Sequence, residues 1–173
     1  MADDFVFEWH SRDLDSHILP REVAAVEDWK KTNFTFHIMR DNPAHGTNIM
    51  GGMFGVRQES PEKKKRRKEE FDQMIKEYGQ GWTKGRDQIA LAIVVTPSAF
   101  NDSLVHDSYL CRSEFYMRGA KSAPFPTQRV SGPNFTLPDP VEPNFVGNTG
   151  NYAINEKCPV ECRPENHKDW ILC

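Results

Sequence analysis

Residues 5–30 read "FVFEWHSRDLDSHILPREVAAVEDWK", and this stretch sets the expected fold. "FVFEW", Phe5 to Trp9, has the length and apolar, β-favouring composition of a short buried strand. It runs into two aspartates separated by one residue, Asp13 and Asp15. Pro20 then suits a first helical position, Arg21 and Glu22 follow, and Val23, Val26 and Trp29 share one face. A helix is therefore expected from Pro20 to about Lys31. Strand, acidic turn and helix in succession point to an α/β domain.

Outward from there, "FTFHIM" alternates Phe34, Phe36 and Ile38 against Thr35, His37 and Met39, the period of a strand. The turn "RDNPAHG" follows, then "NIMGGMFGVR" with Gly51, Gly52 and Gly55 close together. Ser60-Pro61 opens a second helix in which Phe71, Met74, Ile75 and Tyr78 recur at helical spacing, and Gly79 ends it. Its run "KKKRRK", Lys63 to Lys68, is flanked by Glu62, Glu69 and Glu70 and has no interleaved aromatics, the pattern of a solvated helix face. "QIALAIVV", Gln88 to Val95, is apolar enough for a buried helix, and "SLVHDSYLC", Ser103 to Cys111, reads as a short strand and loop. Beyond Lys121 the chain is rich in proline and asparagine and is expected to wrap a core rather than build one. With no repeats and no linker, residues 1–173 form one domain, a core over 1–120 and an irregular tail over 121–173.

The 173 residues suffice for one sizeable core. A formal net charge of −3 supplies no global field for nucleic acid, and no apolar stretch approaches the ~20 residues that span a bilayer. Three sequons, at Asn33, Asn101 and Asn134, and an even count of four cysteines lean towards the secretory pathway. The N-terminus "MADDFVFEW" lacks the pattern of a signal peptide. The expectation that reconciles these is a piece of a longer, lumenal protein.

Two carboxylates at a strand's end can hold a hard cation, Mg²⁺ or Mn²⁺, leaving coordination positions for water or phosphate oxygens. Such a site suits a nucleoside diphosphate as leaving group, whose charge the metal neutralises. The same residues also read as structure, with Asp15 or Ser16 capping the next turn and Asp13 pairing with Arg12. Likewise Asp87 reads as a helix N-terminal charge, His106, His45 and His37 as hydrogen-bonded structural side chains, and the glycines as positions of close packing.

Taken in order, "SRDLDS", "FHIMRDNPAHG", "MGGMFGVR", "RDQIAL" and "LVHDSYLC" resemble a group of glycosyltransferase-like proteins with the GT-A fold, over a span from about residue 9 to the end of the chain. The resemblance implies a mixed-sheet α/β fold and metal-assisted transfer of a sugar from a nucleotide-diphosphate donor to a hydroxyl acceptor. It implies Asp13, Asp15 and His106 as ligands of Mn²⁺ or Mg²⁺. Asp87 and Gln88 fall on a pair near the acceptor and transferred sugar, with a slight lean towards retention of configuration. Gly51, Gly52 and Gly55 fall on a glycine-rich turn under the donor sugar, and Arg40, Asp41 and His45 would line the same cleft. Asn42 and Phe54 stand where the family more often has histidine and tryptophan. GT-A enzymes place roughly a hundred residues, with the strands that grip base and ribose, before the acidic pair. The nucleotide-binding half is therefore expected to be missing here, which would leave an unpaired strand edge and apolar surface.

The tail contains Cys158, Cys162, His167 and Cys173 at a spacing close to a zinc knuckle, while the cysteine count including Cys111 favours disulfides. Two rivals to the transferase follow. One is a catalytically silent metal- or carbohydrate-binding remnant, the other a zinc-knuckle nucleic-acid module; the favoured reading involves no nucleic acid.

Overall fold

The computed structural model describes residues 3, 5–81, 83–113, 118–129, 144–149 and 154–173. It is an α/β structure on a five-stranded mixed sheet. The strands are β1 (Glu8–Arg12), β2 (Phe36–Arg40), β3 (Met53–Arg57), β4 (Ser103–Asp107) and β5 (Lys121–Ala123), in the order β1-β3-β2-β4-β5. β3 runs antiparallel to both its neighbours, while β2 pairs parallel with β4 and β4 with β5. Four strands therefore point the same way and β3 alone opposes them. The carboxyl ends of β1, β2, β4 and β5 and the start of β3 share one end of the sheet.

Every residue of β2, β3 and β4 is buried, because both faces of the sheet are covered. On one face lie α2 (Pro61–Tyr78) and a helical run formed by α3 (Arg86–Ala90), a π-type turn (Leu91–Val95) and α4 (Thr96–Ala99). Leu91, Val95 and Ala99 pack there on Phe36, Ile38, Phe54, Val56 and Val105. Each large apolar side chain among them contributes roughly 1.5–3 kcal/mol on burial. On the other face α1 (Pro20–Lys30) sets Ala25 and Trp29 against Met39 and His37. A central strand covered on two sides cannot show alternating exposure, which is why His37 and Met39, read as the polar side of "FTFHIM", are as buried as Phe36 and Ile38.

α2 matches its sequence signals: Ser60 accepts the Lys63 N–H at 3.2 Å, and Gly79 ends the helix. One cation of "KKKRRK" departs from the solvated face, since Arg67 is buried over the Phe36 ring and paired with Glu70. The first strand is displaced from its expected place. Pairing with β3 begins at Glu8, and Phe5 and Phe7 are exposed, so "FVFEW" is not the buried strand. On α1 the buried set is Arg21, Glu22, Ala25 and Trp29, the last three at one-turn spacing, while Val23 faces solvent. The strands β3 and β5 had no periodic signal of their own.

The four cysteines form two disulfides, Cys111–Cys162 and Cys158–Cys173, and no free thiol remains. The zinc-knuckle reading of the tail fails on this chemistry, because zinc needs thiolates. The disulfides tie the tail across the end of β4, where Cys173 is buried. Disulfides accord with an oxidising compartment, and among the described residues no helix is long and apolar enough to cross a membrane. Asn33 and Asn101 are both exposed, Asn101 in a left-handed conformation (φ 62°); Asn134 lies outside the described residues.

Candidate functional site

Chemistry-bearing residues from distant parts of the chain meet at the carboxyl end of the parallel strands, the position where open α/β sheets place ligands. Asp13 leaves β1 immediately after Arg12. The Asp13 carbonyl accepts from the Ser16 N–H at 3.4 Å and its hydroxyl at 3.1 Å, which folds residues 13–16 into a tight turn with both Asp13 and Asp15 exposed. Arg12 is taken by Glu22 and by the Ser16 carbonyl, so it does not neutralise Asp13.

Beside that turn lies Gly51-Gly52, at the start of β3. A β-carbon on Gly52 would overlap the Asp13 carboxylate, and one on Gly51 would lie 2.6 Å from the Gln88 amide and 3.4 Å from Asp87 Oδ2. Glycine is required here for close approach, since any larger residue would displace an acid or the amide. Ser11 donates to the Gly51 carbonyl. With its amide oriented to satisfy both ends, Gln88 donates to the Ile49 carbonyl at 3.0 Å and accepts from the Gly51 N–H at 2.8 Å. Gln88 thus holds the glycine turn, while Asp87, in the first turn of α3, flanks it from the side opposite Asp13. From Asp87 an apolar groove of about 570 Å³ runs along α2 past Phe71, Met74 and Tyr78.

The structure therefore brings Asp13, Gly51, Gly52, Asp87 and Gln88 together. It does not bring His106 to them. His106 is fully buried in β4, which β2 and β3 separate from β1, so three strand spacings, about 14 Å, lie between it and the strand that the acidic turn follows. His106 Nδ1 is 2.8 Å from His37 Nε2, and its Nε2 is 3.4 Å from Asp28 Oδ2. Burial pushes its pKa down to about 4 against the pull of Asp28, and burial with repulsion from His106 depresses His37 well below the usual range. Trp29 stacks on His37 at 5.3 Å between centroids. The expected ligand is thus half of a neutral imidazole pair in the core, and among the described residues no three His, Cys, Asp or Glu side chains are grouped to hold a metal.

Three further expected cleft residues, Asp41, Arg40 and His45, are buried and hydrogen-bonded within the fold. Asp41 is fully buried. It accepts from Arg21 at 2.8 and 3.0 Å, Arg129 at 2.8 Å, the Ser108 hydroxyl at 2.6 Å and the Val146 N–H at 3.0 Å. Desolvation raises its pKa, but the two guanidinium groups and these donors outweigh it and hold the carboxyl below its ordinary value. Arg40 is equally buried and paired with Asp107 at 2.7 Å. His45 accepts from the Asp41 N–H at 3.3 Å and sits edge-on to Phe145; burial lowers its pKa to about 4, so it is neutral at neutral pH. Gly55 belongs to the middle of β3, not to the glycine turn. The missing β-carbon there makes room for the His10 ring, which lies edge-on to Trp29.

Sequence reasoning missed Ser11 as the anchor of the Gly51 carbonyl, although it precedes the acidic pair by two residues. It also missed Gly147-Asn148. There Gly147 (φ 84°) approaches Met53 and the Asn148 carbonyl accepts from the His17 N–H, which closes the far side of the acidic turn. Nothing in the irregular tail marks those two residues. No family model, no curated protein and no solved structure matches the chain.

Proposed function

We propose that the chain is the metal-and-acceptor half of a GT-A-like glycosyltransferase, which uses a divalent cation to transfer a sugar from a nucleotide-diphosphate donor to a hydroxyl acceptor. The observation that carries this reading is the exposed acidic turn resting on Gly52, with Asp87 and Gln88 on the other side of the same glycine pair. The order of motifs that resembles the transferases thus corresponds to neighbours in space for five of its residues.

The residues present fit Mg²⁺ or Mn²⁺ through oxygen donors alone: Asp13 and Asp15 are solvent-facing carboxylates in one tight turn, and His106 is not part of the set. When bound, the cation neutralises the charge that develops on a departing diphosphate. Asp13 and Asp15 would hold it. Gly51 and Gly52 let a ligand approach the backbone, and Gln88 keeps that turn in place. Asp87 would accept a hydrogen bond from the attacking hydroxyl and orient it, while the apolar groove along α2 receives the body of the acceptor. Phe5, Phe7, Leu14 and Ile18 stand exposed around β1, the edge strand on that side, which supports the reading that strands gripping base and ribose would add to this edge.

Calorimetric titration of the protein with UDP or GDP, with and without Mn²⁺, tests the reading. Metal-dependent binding is expected, and Asp13→Asn and Asp15→Ala should each weaken it by at least about tenfold, the effect of losing one charge-assisted contact, with the melting temperature unchanged. Binding that ignores Mn²⁺, or is the same in both variants as in the wild type, rejects the assignment.

A further inference from the structure

At the same end of the sheet, but across β4 and β5, a second cavity of about 750 Å³ is lined by Arg40, Arg112 and Arg118 with the hydroxyl-bearing Ser113 and Ser122, and among the described residues no acidic side chain lines it. Its volume falls within the range of small-molecule sites. Arg40, on the floor, is buried and its charge is balanced by Asp107 behind it, which spends its other oxygen on the Tyr109 and Leu110 N–H groups at 2.8 and 2.6 Å. The surplus charge therefore comes from the rim. Arg112 and Arg118 are exposed, and among the described residues neither guanidinium is paired with a carboxylate.

Two exposed guanidinium forks, without a carboxylate partner among the described residues, and two hydroxyls around a concave wall make a receptor for a planar or tetrahedral oxyanion, since each fork can give two parallel N–H donors. The neighbouring Cys111–Cys162 disulfide restrains the backbone from which Arg112 extends. We infer that this cavity is an anion site, which takes the carboxylate, phosphate or sulfate of a small organic molecule without any metal. It is separate from the acidic turn: a cation-holding site and an anion-holding site lie at opposite sides of one sheet end.

Calorimetry on the EDTA-treated protein at low ionic strength tests this, because chelation silences the metal-dependent site. Pyrophosphate and glucuronate are the probes, and glucose is the neutral control. Saturable binding of an oxyanion is expected, weakened by salt, with glucose inert. The stronger of the two probes identifies the source as phosphate or carboxylate. Arg112→Gln and Arg118→Gln should each cost about tenfold in affinity, the size expected for one charge-assisted fork. Ser122→Asp, a carboxylate introduced from the exposed strand β5, should weaken binding in the same way and serves if an arginine variant fails to fold. Reduction of Cys111–Cys162 should lower the affinity as well. Equal binding in the variants and the wild type, equal binding of glucose and glucuronate, or no oxyanion binding at low salt overturns the inference.

Discussion

Replacing Asp41 by asparagine keeps the volume of the side chain and removes its charge. In the folded protein that charge faces Arg21 and Arg129, with neither the Asp41 nor the Arg129 side chain exposed. Removing one partner of a buried ion pair costs about 3–5 kcal/mol, because the remaining charge stays buried without compensation. Two cations would be stranded here, which argues for the upper part of that range. Against it, Arg21 keeps its bonds to the Thr127 carbonyl and the Ser108 hydroxyl, and Arg129 keeps the Asp41 carbonyl and the Tyr109 hydroxyl. The expected loss is therefore about 4 kcal/mol, a large part of the roughly 5–15 kcal/mol available to a domain. With an unfolding entropy of about 2.1 cal/mol/K per residue, the melting temperature of this 173-residue chain should fall by about 11 °C. Thermal melts and urea midpoints at unchanged slope measure it. An Asp41→Asn variant that melts within about 2 °C of the wild type would refute the reasoning. The same variant separates the two roles considered for Asp41. Loss of nucleotide binding at wild-type stability would return it to the site; loss of stability with binding retained per folded molecule keeps it in the framework.

Three other outcomes follow from the geometry. His45 and His106 have pKa values of about 4 in the folded protein against an ordinary value of 6.5. Below pH 6.5 the unfolded chain therefore takes up protons that the folded one refuses, and at pH 5 stability should be lower by roughly 2 kcal/mol for each histidine. His37 adds in the same direction, and an unfolding midpoint that is flat between neutral pH and pH 5 would sink this. Gly52→Ala places a β-carbon on the Asp13 carboxylate, which is exposed and free to swing away; stability should change by less than about 1 kcal/mol, while Mn²⁺-dependent nucleotide binding is lost. Wild-type metal-dependent binding in that variant would dissociate Asp13 from the site. Thiol titration of the native protein should find no reactive cysteine. Replacing both Cys111 and Cys162 by serine should cost about 4 kcal/mol from the 51-residue separation they close, and a much smaller loss in urea denaturation would contradict it.

The amino-acid sequence by itself determined the features that depend on near neighbours. Ser60-Pro61 and Gly79 bound α2 because caps and turns are local, and Pro20 starts α1 for the same reason. The acidic turn, the glycine pair and "DQ" were expected together only through the resemblance in motif order, since their residue types alone read equally well as caps and close packing. Tertiary structure alone decided what needed distant partners. Asp13 and Asp41 both follow a strand, yet one is exposed and the other buried, because Arg21 from α1 and Arg129, 88 residues further along, close over Asp41. β3 enters between β1 and β2 by antiparallel pairing that leaves no mark on its own short sequence. The alternation in "SLVHD" puts His106 and Val105 on opposite faces of the sheet. Only the packing of α1 and Trp29 made the His106 side the one that holds a buried imidazole pair. Four cysteines permit three pairings, and the one adopted was fixed by how the tail crosses the end of β4. Local signals are energies between residues a few positions apart; burial and pairing are energies between residues that only the folded chain makes neighbours.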